Sequence, residues 1–194
     1  MGNLDSLIIV TIIWISILVL FKNLKMDFFE FITGSLGIFT ISMVFFMNPL
    51  EVSLNRCVST VLYTIGHLTG YFQVFIENSI ISLETKGGAI SIFIDYECSG
   101  VIEMLVFTSL ILFFPFGTRF RRVFYIIFGD IYIFLSNIIR VLFIIVITKT
   151  FGVSSYYIAH TLLSRILFFA FMIILYFYVF TSTQLKYQNV GEIR

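Results

Sequence analysis

The sequence predicts an all-α polytopic membrane protein with five or six transmembrane helices and a small extracytoplasmic β-hairpin. Three observations lead there. Of 194 residues, 59% are hydrophobic and 12% charged, where a soluble domain carries about 25% charged residues. Mean hydropathy is +1.05, and apolar runs long enough to span a bilayer recur along the chain. One polar, strand-like segment interrupts them around Lys86-Gly87-Gly88. The two prolines and scattered glycines leave no room for a linker, so residues 1–194 read as a single integral membrane domain. The net charge of +1 says nothing about nucleic acid, but no basic run is long enough to bind it, which leaves membrane lipid as the surroundings.

Leu4 to Phe21 is almost wholly apolar. No basic residue precedes it and no small-residue cleavage site follows, so it reads as a retained helix and not a signal peptide. Phe31 to Met47 is a second span, closed by Asn48-Pro49 as a helix stop. In Arg56 to Phe75 the apolar residues Val58, Val61, Leu62, Ile65, Leu68 and Phe72 recur at helical spacing, with polar residues between them. That pattern predicts an amphipathic helix, lying in the interface in preference to spanning. The choice sets five or six spans and the side on which the N-terminus lies. Asn78 to Glu97 carries a hairpin signature around Lys86-Gly87-Gly88. Open sheet edges are not tolerated in lipid, which puts the hairpin in water.

Cys98 to Phe116 is the next span, stopping at Pro115, and Arg119, Arg121 and Arg122 follow as the densest basic cluster. The positive-inside bias makes that end cytoplasmic and sets Cys98 at the outer face. Val123 to Thr148 crosses back. Arg140 lies 17 residues into it, about 26 Å along a helix at 1.5 Å per residue. Lys149 to Ala159 is then a short external loop, and Leu162 to Phe180 returns to a cytoplasmic tail with Lys186 and Arg194. Cys98, Arg140 and His160 therefore converge on one outer boundary from three spans.

These residue types suit nucleophilic chemistry. A cysteine attacks as thiolate, so a reactive one belongs at a water boundary beside positive charge. In Asp95-Tyr96-Glu97-Cys98-Ser99-Gly100, Ser99 and Gly100 suit a tight turn that presents the sulfur. Arginine stays charged at any accessible pH, so Arg140 can stabilise a thiolate or a developing oxyanion. Histidine titrates near neutrality and can act as base and then acid, the role open to His160. Asn137, three residues before Arg140, shares its helix face and is placed to orient it. Each residue alone also has a plainer reading: Cys98 as an inert small hydrophobe, Arg140 snorkelling, His160 as a solvated helix start. Asp130 and Glu103 can pair with arginines or mark an ion path. A Cys57–Cys98 disulfide is a minor alternative. No metal site is expected, since His67 and His160 lack a paired ligand pattern. No Gly-rich phosphate loop or other cofactor site is expected either.

Glu97-Cys98-Ser99-Gly100 opening one span, Asn137-Ile138-Ile139-Arg140 inside the next and His160 at the start of another together resemble the exosortase/archaeosortase family. The resemblance covers roughly Pro49 to Phe180 and looks most like the Gram-positive branch called exosortase G. It implies a membrane-embedded cysteine transpeptidase or protease. Such an enzyme would cleave exported proteins bearing a C-terminal motif, a transmembrane helix and a basic cluster, then pass the new carboxyl end to a surface glycan or lipid acceptor. The family's nucleophile matches Cys98 and its arginine matches Arg140. Its third residue matches His160, or Arg165 if the archaeal pattern holds. Ser164 stands where the family pattern has glycine. Two other classes stay open: a small transporter or channel subunit with Glu103, Asp130, Asn137 and Arg140 along a polar path, and a non-catalytic assembly protein for surface polysaccharide.

Overall fold

A computed structural model of the chain describes residues 2–85, 88–94, 98–114 and 118–181, with side chains from residue 10 onward. Helix α1 (Gly2–Asn23) and helix α2 (Asp27–Thr69) form an antiparallel hairpin. It is locked where the Trp14 indole N–H donates to the Thr33 carbonyl at 2.8 Å. Gly37 makes that approach possible, because a Cβ there would sit 1.9 Å from the indole nitrogen.

Helix α2 overturns two expectations. It runs unbroken for 43 residues through Pro49, where the sequence suggests a stop and a separate amphipathic helix from Arg56. A proline inside a helix removes one hydrogen bond and costs about 3 kcal/mol, yet here each half is anchored by packing. Gly34 and Ser35 are buried before the proline, and Asn55, Val58, Ser59, Leu62 and Gly66 after it. At 1.5 Å per residue α2 is about 65 Å long, roughly twice a hydrocarbon core. The amphipathic stretch is its distal half, continuous with the second apolar run. The stretch also ends early: Gly70, with φ of 65°, caps α2.

Strand β1 (Gln73–Phe75) follows, then β2 (Ile80–Thr85) and β3 (Gly88–Phe93), in sheet order β1-β2-β3. The expected hairpin is present as β2-β3, closed by the pair Thr85 and Gly88, with Lys86 and Gly87 outside the described residues. The additional strand β1 pairs antiparallel with β2 from segment 73–75, which the sequence reading placed in a helix. Its formation depends on Ile80 to Ser82 far along the turn and not on local pattern.

Helix α3 (Val101–Phe113) and helix α4 (Arg119–Phe151) come next. Asp95, Tyr96, Glu97, Pro115, Phe116 and the tail with Lys186 and Arg194 lie outside the described residues. Thr118 caps α4 by accepting from the Arg121 amide at 3.4 Å, so the arginine cluster forms the helix's first turn. Gly129 lets α4 close on α3, where its Cβ would meet Phe107 at 1.9 Å. Beyond Gly152 the chain is helical again over Val153–Thr181, so the expected external loop is shorter than Lys149 to Ala159. This final segment contains π-helical turns at Ala159–Leu163 and Phe177–Thr181.

Among the described residues, Asp27–Thr69, Arg119–Phe151 and Val153–Thr181 are long and apolar enough to cross a bilayer, and Val10–Asn23 and Val101–Phe113 are shorter apolar helices. Phe31 packs on Phe114 with ring centroids 6.1 Å apart, so α2 starts where α3 ends. Phe168 packs on Arg140 and Tyr178 on Phe128, so the final segment runs antiparallel to α4. Two cores result. Val58 and Leu62 of α2, the inner face of the sheet and Ile144 and Ile145 of α4 make one. Phe107 and Ile111 of α3, Ile133 of α4 and Phe168, Met172 and Leu175 make the other. Cys98, Asn137 and Arg140 sit between them, with Arg140 about 31 Å along α4 from Arg119 at 1.5 Å per residue.

Candidate active site

Cys98 is 3% exposed and belongs to the core under the sheet. Its backbone is shaped by the two residues after it. The Ser99 hydroxyl accepts from the Val101 amide at 3.2 Å, satisfying one of the donors that a helix start leaves open. Gly100 takes φ of 77°, a left-handed conformation that glycine enters without a Cβ penalty. The turn expected from Ser99 and Gly100 is therefore built, and it sets the sulfur at the mouth of α3.

His160 meets that sulfur. Its Nε2 lies 3.5 Å from Cys98 Sγ, although the two are 62 residues apart. The histidine sits within the π-helical turn Ala159–Leu163 and not at a helix start, and π-turns widen the helix locally, often at functional sites. Ser164, in the place of the expected glycine, is accommodated by donating its hydroxyl to the His160 carbonyl at 2.7 Å. Tyr156 stacks on the imidazole at 5.4 Å between centroids and 29° between planes. Sequence reasoning missed this tyrosine because residues 149–159 read as a loop. Its position four before the histidine is the helical spacing that would have found it.

Asn137 is fully buried. Its amide nitrogen donates to the Cys98 carbonyl oxygen at 2.5 Å, so its hydrogen bond goes to the cysteine backbone and not, as expected, to Arg140. Arg140 itself is 6% exposed, with its guanidinium carbon 5.1 Å from the centre of the Phe168 ring. A cation over an aromatic face gains about 0.5–2 kcal/mol, more when water is excluded, which helps offset the cost of holding charge there. Arg140, Arg165, Glu103, Phe168 and Met172 line a cavity of about 600 Å³ between α3, α4 and the final segment. Thus His160 faces the sulfur, while Arg165 faces the cavity beside Arg140.

Asp130 has a partner of its own. The Thr108 hydroxyl donates to the Asp130 carboxylate at 3.3 Å, pinning α3 to α4 well away from Cys98. Cys57 is exposed and Cys98 buried, and no disulfide joins them, against the disulfide alternative. A thiol this close to an imidazole nitrogen can pass its proton across and react as thiolate. The same imidazolium can then protonate a leaving amine.

A family model described as transmembrane exosortase (Exosortase_EpsH) matches residues 2–178. The chain belongs to the transmembrane exosortase family. No curated protein and no solved structure matches it. An exosortase is a membrane protein, and membership implies a membrane-embedded sorting peptidase or transpeptidase acting on exported proteins that carry sorting signals. The match extends through α1 and the first half of α2, regions where the motif resemblance had little to say.

Proposed function

We propose that this exosortase is a cysteine transpeptidase that cleaves C-terminal sorting signals at the outer membrane–water boundary, with Cys98 as nucleophile. The observation that carries the reading is the 3.5 Å approach of Cys98 Sγ to His160 Nε2. His160 takes the thiol proton, and the thiolate adds to the scissile carbonyl carbon. The resulting oxyanion is stabilised by the guanidinium of Arg140, whose charge is permanent. Collapse breaks the C–N bond, His160 protonates the departing amine, and a thioester links Cys98 to the substrate's new carboxyl end. An acceptor amine or hydroxyl, or water, then gives its proton to His160 and displaces the thiolate.

Asn137 holds the cysteine backbone in register, and Ser99 and Gly100 shape its turn. Arg165 is assigned to the cavity that Arg140 also lines, and not to the proton transfer. The basic first turn of α4 supports a cytoplasmic position for that end, and hence an extracytoplasmic site, a cell-membrane location and an N-terminus outside with five crossings. The tail-bearing substrate, with its motif, helix and basic cluster, the glycan or lipid acceptor and the exosortase G subtype are carried from the sequence resemblance.

The test is co-expression with tail-bearing exported proteins from the same genome, comparing wild type with Cys98→Ala by mass spectrometry of mature C-termini. A defined new C-terminus that vanishes in the variant supports the reading, and any added mass identifies the acceptor. Equal processing by both chains overturns it.

A further inference from the structure

Among the described residues, no strand lies beside the outer edge of β3. Residue pairs across β2 and β3 run from Thr85 and Gly88 to Ile80 and Phe93, and the Ile94 amide continues the ladder by donating to the Ser79 carbonyl at 2.9 Å. Hydrogen-bonding direction alternates along an antiparallel strand. Gly88, Ile90, Ile92 and Ile94 therefore turn their amides and carbonyls toward β2, while Ala89, Ser91 and Phe93 turn theirs outward. Among the described residues, nothing hydrogen-bonds to those three outward sets. The 3-10 turn Val153–Ser155 passes near β3 without bonding to it.

Natural sheets protect such edges with lysines, prolines or bulges. From Gly88 to Ile94 there is no charge, no proline and no bulge in the register. The side chains of Ala89, Ser91 and Phe93 are exposed, so an incoming strand would meet open backbone. The strand also leads somewhere: Cys98 follows Phe93 by five residues, and Ile92, Ile94 and Cys98 share one core.

We infer that the edge of β3 is the substrate-binding strand. The extended segment of the exported protein just before the scissile bond would pair parallel to Gly88–Phe93 and deliver its carbonyl to Cys98. This rests on the proposed cysteine reaction. Direction follows from it. The substrate's helix lies in the membrane after the cleavage point, so the segment before it runs from water toward Cys98, as β3 does. Recognition by strand addition draws its affinity from main-chain hydrogen bonds.

Ser91→Pro tests this in the full-length chain. It removes one outward N–H and leaves the β2 ladder intact, because edge strands accept proline on the solvent side. We expect kcat/KM for a tail-bearing substrate to fall about tenfold, mainly through KM, while Ser91→Ala stays near wild type. Wild-type kinetics for a folded Ser91→Pro overturn the inference. Cys98→Ala in parallel separates the two readings: if it is inert while Ser91→Pro cleaves normally, only the edge assignment falls.

A second measurement is independent of proline's effect on folding. In a Cys57→Ala, Cys98→Ala background the substrate stays uncut, and Ala89→Cys, Ser91→Cys and Phe93→Cys are cross-linked to single cysteines along it. Parallel pairing moves the linked substrate position toward the scissile bond as the site moves from 89 to 93. Movement in the opposite sense, or links between two copies of this chain at Ser91→Cys, overturns it.

Discussion

The side-chain amide of Asn137 donates to the carbonyl oxygen of Cys98 at 2.5 Å, so α4 grips the main chain of the cysteine and not its sulfur. Both groups are buried, and an unmet buried acceptor is costly. Asn137→Ala should lower stability by about 1–3 kcal/mol and slow cleavage through misplacement of Cys98. Asn137→Asp should be worse, because a carboxylate facing that carbonyl repels it. Thermal unfolding in detergent together with cleavage rate checks both. A cleavage rate unchanged in Asn137→Asp would show that the bond does not position the cysteine.

His160 and Arg165 are separated by one comparison. Loss of a general acid–base costs about 10²–10⁴ in rate, so His160→Ala should fall by that order while Arg165→Ala keeps most of its kcat. The measurement is single-turnover cleavage of one substrate by each variant. The reverse order would move the proton-transfer role to Arg165.

Arg140→Lys is not a conservative change at this position. Lysine keeps the charge but loses the planar face that lies over Phe168. If the guanidinium stabilises the oxyanion, kcat should drop by about 10²–10³ with little change in KM. A rise in KM alone would assign Arg140 to substrate binding.

Gly129 tests how tightly α3 is held. A Cβ there would stand 1.9 Å from Phe107, and both helices are fixed by the Thr108–Asp130 bond one residue along. Gly129→Ala should destabilise the fold by about 1–3 kcal/mol through overpacking. Phe107→Leu should recover part of that loss in the double variant, read as a coupling in thermal unfolding. Additive effects would mean that the two residues do not share the contact.

Much of the site was legible because it depends on local rules. Ser99-Gly100 after Cys98 spelled a turn, the β2-β3 hairpin followed from Lys86-Gly87-Gly88, and helix rise placed Arg140 near the level of Cys98. Pro49 misled, since a proline stop is a local rule that packing on both halves of α2 overrides. Gly70 was a readable helix end that the apolar spacing of Leu68 and Phe72 concealed. Strand β1 and the bond from Asn137 to the Cys98 carbonyl join segments that no periodicity connects. The π-turn at His160 likewise leaves no mark in the hydrophobic pattern.

The most direct test of the central claim is to trap the intermediate. Wild-type chain and a tail-bearing substrate are mixed, quenched in acid within one turnover and digested for mass spectrometry. The account predicts a hydroxylamine-sensitive adduct on the peptide containing Cys98, carrying the substrate's new carboxyl end and accumulating when acceptor is scarce. Cleaved substrate with no adduct at any time, together with normal cleavage by Cys98→Ala, would contradict it.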